Sequence, residues 1–417
     1  MMIKLEGHWK KGSLHNHTRW SDGASLPEVA ISRIKELGYD FLCLSDHNIF
    51  QDIPDAWVEV RPEAGNWPPA FSRAEWEFAQ SLGIQYDYRQ FAYTTSVRLR
   101  TFEELKQLFG EPDKFLLIPG GEITTHIRHC NDRPGVFQLH MNYFNVPETL
   151  PELVGKNLDE TVKLNFNSYK NSAAKVKGVT AFQFNHPLWP RYDGPPELLI
   201  DNPEIRHMEI CNNTIDFDRP EGMYDCSRYW DIVNAFRCIN GDQLCFASAG
   251  DDSHRYDDDR INGVGGVGSA WVMVHCPEKF SVDSILEAMN KGDYYPTTGV
   301  ILDSVSFDPA SGKLAVKVAG NQKCLIRFIS TKENFDQTTE ECYFPWVDDF
   351  DRRLRKYSDD IGVCVKEVSN ASEAEYTMDK DDLYIRAEII SDVPGRFDHF
   401  PYPEKQMAWT QPYRTTV

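Results

Sequence analysis

Short apolar runs recur through the first part of the chain, and each closes on a polar group. Tyr39 to Leu44, Phe115 to Ile118, Val136 to His140, Val179 to Phe184, Ile205 to Cys211 and Leu244 to Ala249 read as strands, and with the run ending at Leu14 they make seven. A helix separates the first two. Ser25-Leu26-Pro27-Glu28 reads as a capping box, with the acid three residues after the serine, and Val29, Ile31, Ile34 and Leu37 form the apolar stripe behind it. Gly38 stops this helix. Alternation of strand, helix and strand predicts a parallel sheet, so the expected fold class is α/β.

Two stretches depart from that pattern. Residues 52–113 are rich in Trp, Pro and Arg (Trp57, Trp67, Pro68, Pro69, Trp76), with helices predicted at Ser72 to Gly83 and Thr101 to Phe109. This insertion follows a strand end, where it either overhangs a site as a lid or wall or simply thickens the rim. After Gly299 the alternation becomes period-two, in strands at Leu302 to Phe307, Leu314 to Val318, Cys324 to Ile329, Gly362 to Val368, Leu383 to Ile389 and Gln406 to Trp409. Turn residues between them suggest an all-β sandwich. The charged stretch Asp348 to Asp360 reads as a solvated loop or short helix. The expected organisation is therefore residues 1–299 as an α/β barrel and 300–417 as a sandwich-like domain.

The polar groups that close the strands form an ordered series. His15 and His17 are one residue apart, so both face the same side of a strand and can reach one metal ion. After them come Asp22, Ser45-Asp46-His47-Asn48, Glu122, His140, Asn185-His186-Pro187, His207-Met208-Glu209 and Asp252-Ser253-His254. A parallel barrel brings the carboxyl ends of its strands to one face, so this scatter in sequence becomes a cluster in space.

The ordered series resembles the polymerase and histidinol phosphatase (PHP) family of metal-dependent phosphoesterases, from His8 to the end of the barrel region. The resemblance implies a distorted seven-stranded (β/α)7 barrel and three divalent ions. One ion would take His15, His17, Glu122 and Asp252; a second would share Glu122 and add His140 and His186; the third would take Asp22, His47 and His254. Donors of nitrogen and oxygen alone suit Zn, Mn or Fe. A hydroxide shared between two ions would be the nucleophile. Asp251 competes for the role given to Asp252, but only Asp252 completes Asp-x-His with His254. The segments Gly121 to Thr125, His140-Met141-Asn142, Tyr295 to Gly299 and Ala408 to Pro412 are similar to the branch of this family named after the carbaryl hydrolase CehA and its relative McbA. That likeness implies carbamate or carboxylic esters as an alternative to phosphoesters.

Further candidates lie beside these motifs. Arg19, Arg191 and Arg255 could each fork onto an anionic substrate or pair with a rim acid. Asp46 could accept a proton from bound water or orient a ligand, and His126 and His129 could line the pocket. Glu209 and Asn212 fit a role in orienting a metal-bound histidine.

Composition narrows the partners. A net charge of -20 and a pI near 5.0 oppose binding to a nucleic-acid backbone. A small anionic substrate would need locally fixed cations, which bound metals supply. The ten cysteines include no CxxC pair and read as reduced core residues. No stretch is apolar for the length of a bilayer, and the segment Met1 to His8 lacks the apolar core of a secretion signal. The expectation is a cytoplasmic metallohydrolase, with phosphoester cleavage ahead of carbonyl cleavage, against a non-catalytic module in which metal only stabilises the scaffold. Oligomeric state is left open.

Overall fold

The computed structural model describes residues 2–62, 71–128, 136–189, 194–212, 224–256, 266–345, 351–395 and 404–415. Two large sheets organise these residues. A nine-stranded sheet runs in the order Val363–Ala371, Cys324–Ser330, Arg386–Pro394, Lys405–Trp409, Tyr294–Thr297, Trp271–His275, Trp9–Ser13, Phe41–Cys43 and Leu116–Ile118. A five-stranded sheet runs Phe246–Gly250, His207–Asn212, Ala181–Phe184, His140–Phe144 and Gly120–Thr124. One apolar core joins them, with Phe41 and Ile118 from the first packed among Met141, Met208 and Ala247 from the second. Two isolated parallel bridges, His47 with Glu122 and Asn16 with Ser253, also connect them, and both fall at candidate metal ligands or their neighbours.

The result is a mixed α/β fold: the ladders among the described residues form two sheets linked by those two bridges, and they do not by themselves show the closed seven-stranded (β/α)7 barrel expected from the sequence. The strand His140–Phe144 is antiparallel to both its neighbours, and Trp9–Ser13 is antiparallel to Trp271–His275. The expected strand from Val136 to His140 is displaced: Val136–Phe137 pairs with Ile127–Arg128 in a short ribbon, and the sheet strand begins at His140. His140 therefore reaches the site from the start of a reversed strand, opposite Thr124.

The helix Pro27–Glu36 forms as expected, but the capping box at Ser25 does not. Leu26 is the N-cap with no side-chain bond, and Pro27 opens the helix, where a missing N–H costs nothing. Glu28 is instead buried and paired with Arg100 of the insertion. In that insertion, helices Arg73–Ser81 and Phe102–Phe109 each carry a complete capping box, at Ser72/Glu75 and Thr101/Glu104. Each such cap contributes about 1 kcal/mol. A three-stranded antiparallel sheet (Trp57–Val60, Thr94–Arg98, Tyr88–Phe91) accompanies them. Trp67, Pro68 and Pro69 lie outside the described residues.

Beyond Gly299 the pattern changes without a break in hydrogen bonding. Lys405–Trp409 pairs with both Arg386–Pro394 and Tyr294–Thr297, so late strands extend the sheet that begins with Trp9–Ser13. Part of the stretch read as a loop or short helix is a strand: Asp351–Lys356 pairs with Glu340–Pro345. No described helix is long and apolar enough to cross a membrane.

Candidate metal centre

All nine expected ligands come together where the two sheets meet, and seven of them are buried; Asp22 and His47 are partly exposed. Ligand atoms of His17, Asp22, His47 and His254 lie within 4.8 Å of one another, as do those of His15, His17 and Glu122, and those of His47, Glu122 and His140. Asp252 joins the second group, with Oδ1 2.9 Å from His17 Nε2 and 3.3 Å from His15 Nε2. His186 groups with His15 and Glu209, while its Nε2 stays 3.8 Å from Glu122 Oε1.

The donor atoms themselves test the fit of metal ions. His15 Nε2, both ring nitrogens of His17 and Glu122 Oε2 are buried and make no well-aligned hydrogen bond among the described residues, although Asp252 Oδ1 lies 2.9 Å from His17 Nε2 and His47 Nδ1 lies 2.6 Å from Glu122 Oε2. Leaving such groups unsatisfied costs about 1–3 kcal/mol each, and more when charged. A cation satisfies them together, and a set of imidazoles and carboxylates is what borderline divalent ions take. Burial opposes ionisation of Glu122, yet His140, His15 and His47 hold its carboxyl well below the usual range. Burial together with His47 and His254 pushes His17 down to about 3, leaving a neutral imidazole able to ligate.

The backbone is bent to make this arrangement. Asp252 has φ 51° and His186 φ 20°, a left-handed geometry that costs roughly 1–3 kcal/mol in a non-glycine residue and concentrates at working sites. Asp252 thereby faces His15 and His17. Its neighbour Asp251 turns away, accepting from the backbone N–H groups of Gly268, Ser269 and Ala270.

Other side chains set the ligands in place. Glu209 Oε1 lies 2.9 Å from His15 Nδ1, which turns Nε2 toward Glu122 and Asp252. Its other oxygen accepts from Asn212 at 2.8 Å. Gly250 is required beside them, because a Cβ there would stand 2.6 Å from Glu209 Oε1 and 2.9 Å from His15 Cβ. Thr124 Oγ1 is 2.5 Å from His47 Nδ1. Thr124 was not singled out from sequence, although its place two residues after Glu122 puts it on the same strand face.

The substrate-side candidates separate. Asp46 is sealed: Thr18 N, Thr18 Oγ1, Ser21 Oγ and Gln51 Nε2 fill its two oxygens at 2.7 to 2.9 Å. That geometry holds the loop carrying Asp22 and leaves no oxygen for water. Arg19 donates to Gly23 O at 2.9 Å within the same loop, and Arg255 is partly exposed just after His254. His126 is 49% exposed and turned to Glu152, 3.2 Å away. His129 and Arg191 lie outside the described residues. The insertion borders the loop from Thr18 to Ser25, since Trp20 donates its indole N–H to the Arg100 carbonyl.

No family model matches the chain, and no curated protein matches it. Among solved structures it is similar to a two-domain protein containing a predicted PHP-like metal-dependent phosphoesterase from Bacteroides vulgatus, with 14% identity, a TM-score of 0.39, and 97% of this chain and 96% of that one covered. A putative metal-dependent phosphoesterase from Bifidobacterium adolescentis matches at 12% identity and a TM-score of 0.31, covering 67% of this chain and 96% of its own. An amidohydrolase from Chromobacterium violaceum matches at 12% and 0.31, covering 68% and 96%. Likenesses this distant transfer no role, so the functional reading rests on the side chains described above.

Proposed function

We propose that the chain is a metal-dependent hydrolase that cleaves a small phosphoester. The observation that carries this reading is the convergence of three carboxylates and six histidines in one pocket, with ligand atoms of His15, His17 and Glu122 left for a cation to satisfy. In this reading His15, His17, Glu122 and Asp252 hold one ion, His140 and His186 with Glu122 a second, and Asp22, His47 and His254 a third. The ions, Zn, Mn or Fe, would supply Lewis acidity and a water whose pKa is lowered toward neutrality. The chain's own part is positional: Glu209 aims His15, Thr124 aims His47, and Asp46 fixes the loop that presents Asp22. Arg19 and Arg255 stand beside that loop and His254, where a guanidinium would meet an anionic substrate. Several cations favour a phosphate over a neutral carbonyl, because they offset charge on the oxygens around the reacting phosphorus.

Of the segments that carry the branch likeness to carbamate and ester hydrolases, the one from Ala408 to Pro412 bears on the fold. Trp409 is buried in the core, and Gln411 bonds both backbone groups of Ala247, so this segment supports the strand before Asp252. The deciding experiment loads the protein with Zn, Mn or Fe and offers phosphoesters, carboxylic esters and aryl carbamates. Phosphoester turnover that chelation abolishes, with competitive inhibition by inorganic phosphate, is expected. Cleavage of esters or carbamates with indifference to every phosphoester and to phosphate would replace this reading with carbonyl hydrolysis.

A further inference from the structure

A line of buried polar side chains crosses the five-stranded sheet and ends on Glu122. Ser248 Oγ lies 2.5 Å from Gln183 Oε1, Gln183 Nε2 lies 3.0 Å from Asn185 Oδ1, and Asn185 Nδ2 lies 2.6 Å from Glu122 Oε1. Asn185 Nδ2 also donates to Asn142 Oδ1 at 2.9 Å, and Asn142 Nδ2 reaches the carbonyl of Leu14, the residue before His15, at 3.3 Å. Every side chain in the line is buried.

Chemistry fixes the direction of each bond. An ionised Glu122 only accepts, so Asn185 must present its NH2 group to it. The Asn185 carbonyl is then left to accept, which requires the NH2 of Gln183; the Gln183 carbonyl in turn requires the hydroxyl proton of Ser248. Reversing Asn185 or Asn142 places like groups together at two or more points, and reversing Gln183 sets its carbonyl against that of Asn185; buried mismatches of this kind are expensive.

We infer that Ser248, Gln183, Asn185 and Asn142 form a one-directional relay that locks the Glu122 carboxylate in its ion-binding orientation and holds the strand end bearing His15. Asn185 is then a positioning residue of the metal centre, and Gln183 acts through it without approaching any ligand. This rests on the reading of Glu122 as a metal ligand. The relay also explains the polar residues set among the phenylalanines of Phe182-Gln183-Phe184, which side-chain packing alone would not select.

The test compares wild type, Asn185→Leu and Gln183→Met, the second close to the original in volume. Cobalt(II) and zinc affinities are measured by calorimetry, the visible absorption of the cobalt-loaded protein is recorded, and the metal-free proteins are melted as a control on folding. Loss of an orienting partner typically weakens metal binding about 10–100-fold. Such a loss is expected for at least one ion in Asn185→Leu, with an altered cobalt spectrum, and the same ion should weaken in Gln183→Met. If Asn185→Leu fails to fold, Gln183→Met decides alone. Variants that melt lower but keep wild-type affinity and spectrum would make these residues core filler and overturn the relay. A wild-type protein that binds neither cobalt nor zinc would instead overturn the metal-ligand reading beneath it.

Discussion

Replacing Arg386 by Met should destabilise the whole chain, because Arg386 is half of a buried ion pair that ties a helix of the first part to a late strand. Its Nε and Nη2 reach Asp231 Oδ1 and Oδ2 at 2.8 and 2.5 Å, and both side chains are 2% exposed. Asp231 sits on the helix Cys226–Asn240 and also accepts from Tyr384 Oη at 2.8 Å. Arg386 further donates to Ser227 and Glu388 and lies over the Trp230 ring. Removing one member leaves a buried carboxylate with a single neutral donor, a loss of about 3–5 kcal/mol. For a chain of 417 residues the entropy of unfolding is about 0.9 kcal/mol/K, so the melting temperature should fall by about 3–6 °C. Asp231→Leu combined with Arg386→Met should recover most of that, since no unpaired charge remains between the two positions. Scanning calorimetry of the three proteins tests the account. A single variant within about 1 °C of wild type, or a double variant no better than the single, would refute it.

Two more outcomes follow from particular contacts. Burial holds the His207 imidazole down to about 4, with Tyr294 and Asn290 at its two nitrogens. The unfolded chain takes up that proton near pH 6.5, so stability present above this pH is lost as pH falls toward 4, by roughly 2 kcal/mol at pH 5. In urea melts of metal-free protein, His207→Gln should show a shallower fall between pH 7 and 5 than wild type; parallel falls would contradict this. Gly250→Ala should displace Glu209 from His15 and weaken metal binding about 10-fold or more, while folding persists. Metal titration followed by circular dichroism checks it, and unchanged affinity would mean that the strand shifts to make room.

The candidate ligands were legible because all but Asp22 are strongly polar residues beside an apolar run, and burial at a strand end leaves few other uses for such a group. Direction was less legible. Nothing in the run Val136 to His140 distinguishes a strand that ends at His140 from one that begins there, so the antiparallel entry of His140 appeared only in the pairing. The strand Asp351–Lys356 was hidden for another reason: its charged residues carry no apolar alternation, and it is defined by its partner Glu340–Pro345. At Ser25 a correct spacing misled, because Pro27 already suits the first helical position and Glu28 has a stronger partner in Arg100. Gln183 and Asn185 stand in the sequence as polar residues in an apolar setting, but their meaning lies in contacts with Glu122 and Ser248 on two other strands.

The bonds from Gln411 to both backbone groups of Ala247 set an order of events during synthesis on the ribosome. His15 and His17 emerge early, and the strand leading to Asp252 emerges with more than half the chain made. That strand waits for a partner 164 residues further on before its edge is covered, and Thr297 likewise waits for Ala408. A nascent chain long enough to contain every ligand therefore still lacks the segment that braces the last of them. If these residues hold ions, firm capture is expected only once the segment around Gln411 has been made, and a chaperone holding the incomplete sheet would be holding a site not yet braced at Asp252.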